Sequence, residues 1–269
     1  MNEILAKQLA IDFCTDVNSI LSKENVFTEY KQLEGRRIFK EGECYFKAAS
    51  VNGKIVASGR KDIIQWAREK FKTEKGAWFM DMGCLHKVEE GLLRFQCRIG
   101  QAHPFYIATE KSDVDTKDYD IKIFIGDELE QFRGDKRFGE AFIFDGLPKD
   151  EIGIGAYKDG RLLGMAGATS DSDRMWQIGI NVMPEAEGLG IGTMLVATIK
   201  NEILDKNRLP FMVQQCLTSR HKELPWEQDL FLHGQNCIAK QSSIRFKEHR
   251  CKCNIIKNIL DLAMGYMFL

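Results

Sequence analysis

Gly188, Gly190 and Gly192 stand at alternate positions between one apolar run and another. Glycines so spaced let the backbone turn tightly and approach a ligand with no side chain in the way. A helix opening beside Gly192 would aim its free N–H groups, and the positive end of its dipole, at the same spot. That combination is an anion site suited to phosphate or pyrophosphate. A nucleotide P-loop needs Lys and then Ser or Thr after its last glycine; Thr193 and Met194 follow here, so that pattern fails. A dinucleotide fingerprint needs G-x-G-x-x-G, and the spacing here is G-x-G-x-G. A glycine-rich turn with no ligand is the plain alternative. The agreement of strand, turn and helix around the glycines favours a ligand.

The elements that must hold this turn can be read outward from it. Trp176 to Met183 has the composition of a buried strand, Pro184 stops it, and apolar helical spacing runs on to Leu204. Upstream, Asp150 to Tyr157 and Arg161 to Thr169 read as strands joined by a turn at Lys158-Asp159-Gly160. Before them come a strand, Ile121 to Ile125, and two short helices, Gly126 to Phe132 and Arg137 to Phe144. Ser170 to Asp173 turns the chain into the strand before the glycines. The order is β, α, α, β, β, β, glycine turn, α, β.

The strand, the Val-x-Pro step at Val182 to Pro184 and the run Glu187-Gly188-Leu189-Gly190-Ile191-Gly192 together resemble the coenzyme-A pyrophosphate motif of the GNAT superfamily of N-acetyltransferases. The family pattern is Arg/Gln-x-x-Gly-x-Gly/Ala, and Glu187 departs from it with a charge that opposes an anionic ligand. The element order is that of the GNAT core, over about Tyr119 to Phe211. Met1 to Phe211 also resembles a group of two-domain acetyltransferases from Gram-positive bacteria, through the stretch Gly164 to Pro184. The resemblance implies acetyl-CoA as co-substrate, its pyrophosphate over Glu187, Gly188, Leu189, Gly190, Ile191, Gly192 and Thr193. It implies a pantetheine arm pairing with the strand at Asn181 and Val182, where a free N–H polarises the thioester carbonyl. The acceptor would be a primary amine on a small molecule or peptide. Many members use a strand carboxylate to take the amine proton; Trp176 and Gln177 occupy that region here. Asp171 and Asp173 are the nearest acids, and turn formation explains both; Asp173 is named as the candidate catalytic residue. Glu187 and the absent strand carboxylate also admit a second class of function, acyl-CoA binding without catalysis.

Ahead of this core, Met1 to about residue 115 reads as an N-terminal α+β domain. It has an amphipathic first helix through about Ser22, strands at Val26 to Tyr30 and Tyr45 to Val51, and a turn at Asn52-Gly53 leading to Lys54 to Ala57. Helices follow at Lys61 to Phe71 and about Leu85 to Phe95, with an extended piece at Pro104 to Ile107. Lys111 to Asp120 is polar and charge-rich, the best candidate linker. Arg36, Arg37 and Lys40 read as a solvated charged face, and His86 and His103 as structural. The predicted fold class is thus an α+β domain followed by a GNAT fold, a mixed and mostly antiparallel sheet flanked by helices.

A net charge of −1 provides no basic field for nucleic acid or an anionic membrane. Glu3 and the lack of a long apolar run argue against a secretory signal, and no segment has membrane-spanning length. Eight cysteines without a regular framework point to free thiols in a reducing cytoplasm, and none has the C-x-x-C spacing of a metal site. A homodimer is admitted by the composition.

After Phe211 the expected family ending, a strand and then a helix carrying a Gly-Phe step, is missing. Regrouping the back-translated codons one nucleotide earlier permits that ending; the single Trp226 codon then forces a glycine, and Asn236 a leucine. Residues 212–269 are therefore read as an out-of-frame tail, in which Cys and His gather by accident. The nucleotides after Pro210 decide this directly.

Overall fold

The computed structural model describes residues 1–37, 44–144 and 146–213, and the strand course of 230–241. Helix α1 (Glu3–Asp12) starts where the Asn2 side chain accepts the Ile4 N–H at 2.8 Å. The long first helix expected to Ser22 is two helices. Cys14 takes a left-handed φ of 52°, and Asp16 caps α2 (Val17–Leu21) by accepting the Ser19 N–H. Strands β1 (Val26–Glu29), β2 (Phe46–Val51) and β3 (Lys54–Gly59) follow, with Asn52 and Gly53 both at positive φ in the turn between the last two. That is the backbone a two-residue hairpin turn requires. Helices α3 (Lys61–Phe71), α4 (Gly76–Phe79) and α5 (Met82–Leu93) lead to β4 (Cys97–Ala108), much longer than the extended piece expected there.

The second half runs β5 (Asp120–Ile125), two 3-10 turns (Gly126–Phe132 and Lys136–Phe138), β6 (Lys149–Lys158), β7 (Arg161–Ser170), β8 (Met175–Val182), α6 (Ile191–Asp205) and β9 (Leu209–Val213). The described strands form one sheet in the order β1-β3-β2-β10-β4-β9-β8-β7-β6-β5, where β10 is Leu230–Gln241. Only β1/β3 and β8/β9 are parallel. The fold is the mixed, mostly antiparallel sheet flanked by helices that the element order predicts.

The alternation of side chains across the sheet fixes what each face carries. On β8, Trp176, Ile178, Ile180 and Val182 pack with the α6 core, whose centre is Leu195, Ile199 and Ile203. Met175, on the opposite face, packs with Leu209, Phe211, Ile107, the apolar side of α1 at Leu5 and Leu9, and Phe13 just after that helix. The loop over residues 138–142 lies on that same face. A Cβ added to Gly179 would sit 1.8 Å from the Glu140 carbonyl oxygen, and one added to Gly167 1.9 Å from that of Ala141. Only glycine lets this loop touch the sheet.

The expected boundary between an N-terminal domain and the core does not interrupt the sheet. Strand β4 pairs with β9 through Phe105↔Val213, Tyr106↔Met212 and Ile107↔Phe211. Met212 and Val213, at the head of the tail read as out of frame, simply continue β9. Further along it, β10 fills the place between β2 and β4. Residues 214–229 and 242–269 of that tail lie outside the described residues.

Candidate active site

After β8 the chain makes a 3-10 turn, Pro184–Ala186, and buries Ala186 under the sheet end. Gly188 and Gly190 then take φ of 78° and 77°, and Gly190 caps α6 in the left-handed region. A Cβ at either glycine would meet nothing within 4 Å. The glycines therefore serve conformation rather than crowding, and the space before the turn is open. The first bond of α6 runs from the Met194 N–H to the Gly190 carbonyl, 3.0 Å. The amides of Ile191, Gly192 and Thr193 precede it and belong to the first turn, where a helix has no acceptors of its own. Ile191 is buried in the core and anchors the turn, while Glu187, Gly188, Leu189 and Gly190 are exposed.

Beside this turn two parallel strands part. β8 and β9 pair at Met175↔Leu209, Trp176↔Pro210 and Gln177↔Phe211, and the ladder ends there. Strand β9 goes on with β4 to Val213, whereas Ile178 to Val182 have no strand partner on that side among the described residues. The direction of each backbone group follows from two bonds. The Arg174 carbonyl accepts the Leu209 N–H at 2.8 Å, on the β9 side; the Met183 N–H reaches the Leu163 carbonyl at 2.9 Å, on the β7 side. Alternation then turns the N–H and C=O of Ile178, Ile180 and Val182 into the slot, and those of Asn181 toward β7. A Cβ on Gly164 of β7 would lie 3.1 Å from the Asn181 carbonyl oxygen, which agrees.

The two residues expected to line the pantetheine path are thus separated. Val182 offers its backbone to the slot. Asn181 spends its side chain on the loop, its Oδ1 accepting the N–H groups of Glu140 (3.1 Å) and Ala141 (2.9 Å). Asp173 lies in the exposed turn before β8, nine residues from Val182, or roughly 30 Å along a strand. The structure does not bring it to the slot. Asp171 is buried beside it and accepts the Thr169 hydroxyl at 2.9 Å; burial pushes its carboxyl up to about 6. Gln177 is on the face shared with α1 and the loop, at the point where the strands part.

Arg36 and Arg37 are not the solvated face expected of them. Arg37 is 3% exposed, gives its Nε to Asp12 Oδ2 at 2.5 Å, and lies over the stacked rings of Phe105 and Phe211. Arg36 covers the Tyr30 ring at 4.5 Å. Asp12 also accepts the Arg37 N–H and a Gln8 N–H, and the buried Lys47 donates to its backbone carbonyl. Burial raises the Asp12 carboxyl, but the Arg37 and Lys47 charges outweigh it and hold the group below the usual carboxylate range. Burial also brings Lys47 down to about 8. The run of two arginines carried no sign in the sequence of the buried aspartate awaiting it.

The site is thus a glycine turn opening a helix, set beside two parallel strands that part. The acetyltransferase (GNAT) family matches residues 121–221 of the chain, from β5 to beyond β9. Over those residues the chain is similar to the GNAT acetyltransferases. No curated protein matches the sequence. Similar solved structures include a GCN5-related N-acetyltransferase from Kribbella flavida, with 14% identity, 58% of this chain and 63% of that one covered, and a TM-score of 0.43. Another is a GCN5-related N-acetyltransferase from Sphaerobacter thermophilus, with 10% identity, 90% and 94% covered, and a TM-score of 0.41. Among the described residues no helix is long and apolar enough to cross a membrane.

Proposed function

We propose that the chain transfers an acetyl group from acetyl-CoA to a primary amine on a small molecule or peptide. The observation that carries this reading is the open glycine turn at Gly188 and Gly190, placed where β8 and β9 separate. The residues fit the co-substrate. The first-turn amides of Ile191, Gly192 and Thr193 would hold its pyrophosphate, with Gly188, Leu189 and Gly190 giving backbone access. The slot-facing groups of Val182 and Ile180 would pair with the pantetheine amides as a strand pairs with an edge. The Val182 N–H is then placed to hydrogen-bond the thioester oxygen, where negative charge gathers as the amine adds. Asn181 supports this arrangement by fixing the loop, and Glu187 opposes the pyrophosphate charge.

The second reading, acyl-CoA binding without transfer, draws on the absence of a carboxylate at Gln177 on β8. Release of free CoA that depends on added amine separates the two. The binding half is tested with Gly190→Val, measured by calorimetry against acetyl-CoA. Valine cannot hold φ near 77° cheaply and its branched side chain would stand before the phosphates. Affinity should fall by more than tenfold in a folded variant, and unchanged affinity would falsify the placement of the pyrophosphate.

A further inference from the structure

We propose that His103 of β4 is the base that takes the proton from the acceptor amine; this rests on the acetyl-transfer reading above. Two independent observations place it. The first is register. From Gln101 to Ala108 strand β4 runs without a bulge of its own, so His103 shares a face with Phe105 and Ile107, which pack against the α1 core. Ile107 is level with Phe211, and Phe211 with Gln177. Because β4 runs opposite to β8, four residues back from Ile107 and four on from Gln177 arrive at the same height. His103 is therefore level with Asn181 and its neighbour Val182, on the face where Gln177 and the 138–142 loop lie. It stands two strands from β8, a separation of about 10 Å where strands pair and wider here, where β8 and β9 have parted. That gap has room for the thioester carbonyl at the Val182 amide, the attacking nitrogen beside it, and a hydrogen bond of about 3 Å to an imidazole, made directly or through one water.

The second observation is an unmet valence. The Nδ1 of His103 is inaccessible to solvent and has no hydrogen-bond partner among the described residues. Burial holds the ring below the ordinary histidine range, in the neutral form a base requires. Among the described residues, the charged groups on this side of the sheet include Asp12 of α1, Arg36 and Arg37 after β1, Lys47 of β2, Glu140 of the loop and Asp171 of the β7–β8 turn. None of them forms an ion pair with His103. The sequence alone reads this residue as structural, because its strand partners lie more than a hundred positions away.

The step balances as follows. The amine lone pair forms the C–N bond at the thioester carbon, and the imidazole takes the amine proton. The C–S bond breaks, its electron pair leaves on sulfur, and the imidazolium returns the proton to it. The products are the amide and free CoA thiol.

The test follows the histidine Cε1–H signals of the full chain by NMR as acetyl-CoA is added, with binding measured by calorimetry. Either His103→Gln or His103→Asn assigns the signal, so one misfolded variant does not leave the question open. Saturating acetyl-CoA should move the His103 resonance and its titration midpoint. His103→Gln should keep acetyl-CoA affinity within about twofold. With spermidine and a lysine peptide as amines, it should lower kcat about a hundredfold or more and erase the rise of kcat/KM with pH that follows imidazole deprotonation. A resonance unmoved by bound acetyl-CoA, or a variant that retains that pH limb, overturns the proposal while acetyl transfer stands. Failure of the native chain to bind acetyl-CoA overturns both.

Discussion

At the scale of single residues, Glu187 is the position where this chain departs from the GNAT pattern it resembles, and its consequence can be measured. It is exposed beside a turn whose amides attract anions, so its charge acts through water and is screened by salt. Glu187→Arg should tighten acetyl-CoA binding several-fold at low ionic strength and by much less at 0.5 M salt. Affinity that falls, or stays flat at both salts, would mean that this side chain points away from the pyrophosphate. The glycines of the turn were legible because their requirement is local: a left-handed φ at Gly188 and Gly190 is a property of the residue itself. The division of labour between Asn181 and Val182 was not. Which of two neighbours faces the slot depends on a ladder whose direction is set by Arg174 and Met183. His103 was further from view, since its role rests on registers across three strands.

At the scale of elements, the loop over the acceptor face is held by small things. Asn181 accepts two of its amides, and Gly167 and Gly179 leave room for its carbonyls. Gly167→Ala puts a methyl where Ala141 has its backbone oxygen, an atom that cannot rotate away. The variant should lose about 2 kcal/mol or more in urea denaturation, and acceptor KM should rise more than acetyl-CoA Kd. A loss below 0.5 kcal/mol would show that the loop does not rest on the sheet in solution. The helix and strand pattern of this half was readable from periodicity and the Asp159-Gly160 turn. The loop's contact was not, because a glycine in a strand marks close approach without saying what approaches. In the same way the first helix looked continuous by spacing alone, and the left-handed Cys14 that divides it answers to packing, not to pattern.

At the scale of the molecule, the two halves are joined by buried polar groups as well as by the sheet. Gln8 of α1 accepts the Ser172 hydroxyl at 3.0 Å and donates to Asp12 and to the Gly35 carbonyl. Asp171 lies beside this joint with its carboxyl raised from 3.8 to about 6 by burial. Between those two values the folded chain holds a proton that the unfolded chain has released. Its contribution to stability is therefore full below pH 3.8 and is lost as pH rises through about 6. Asp171→Asn keeps an acceptor for Thr169, so it should be more stable than the native chain at pH 8, by on the order of 2 kcal/mol, and the gap should close toward pH 5. Urea midpoints at the two pH values measure it; a gap that does not change with pH removes Asp171 as the cause. The sheet order has a further consequence, for synthesis. β4 is complete at Ala108, but the strand that covers one of its edges begins at Leu209, about a hundred residues later. At a ribosomal pace of roughly 5–20 residues per second, that edge waits on the order of 5–20 seconds as an open template for any passing strand.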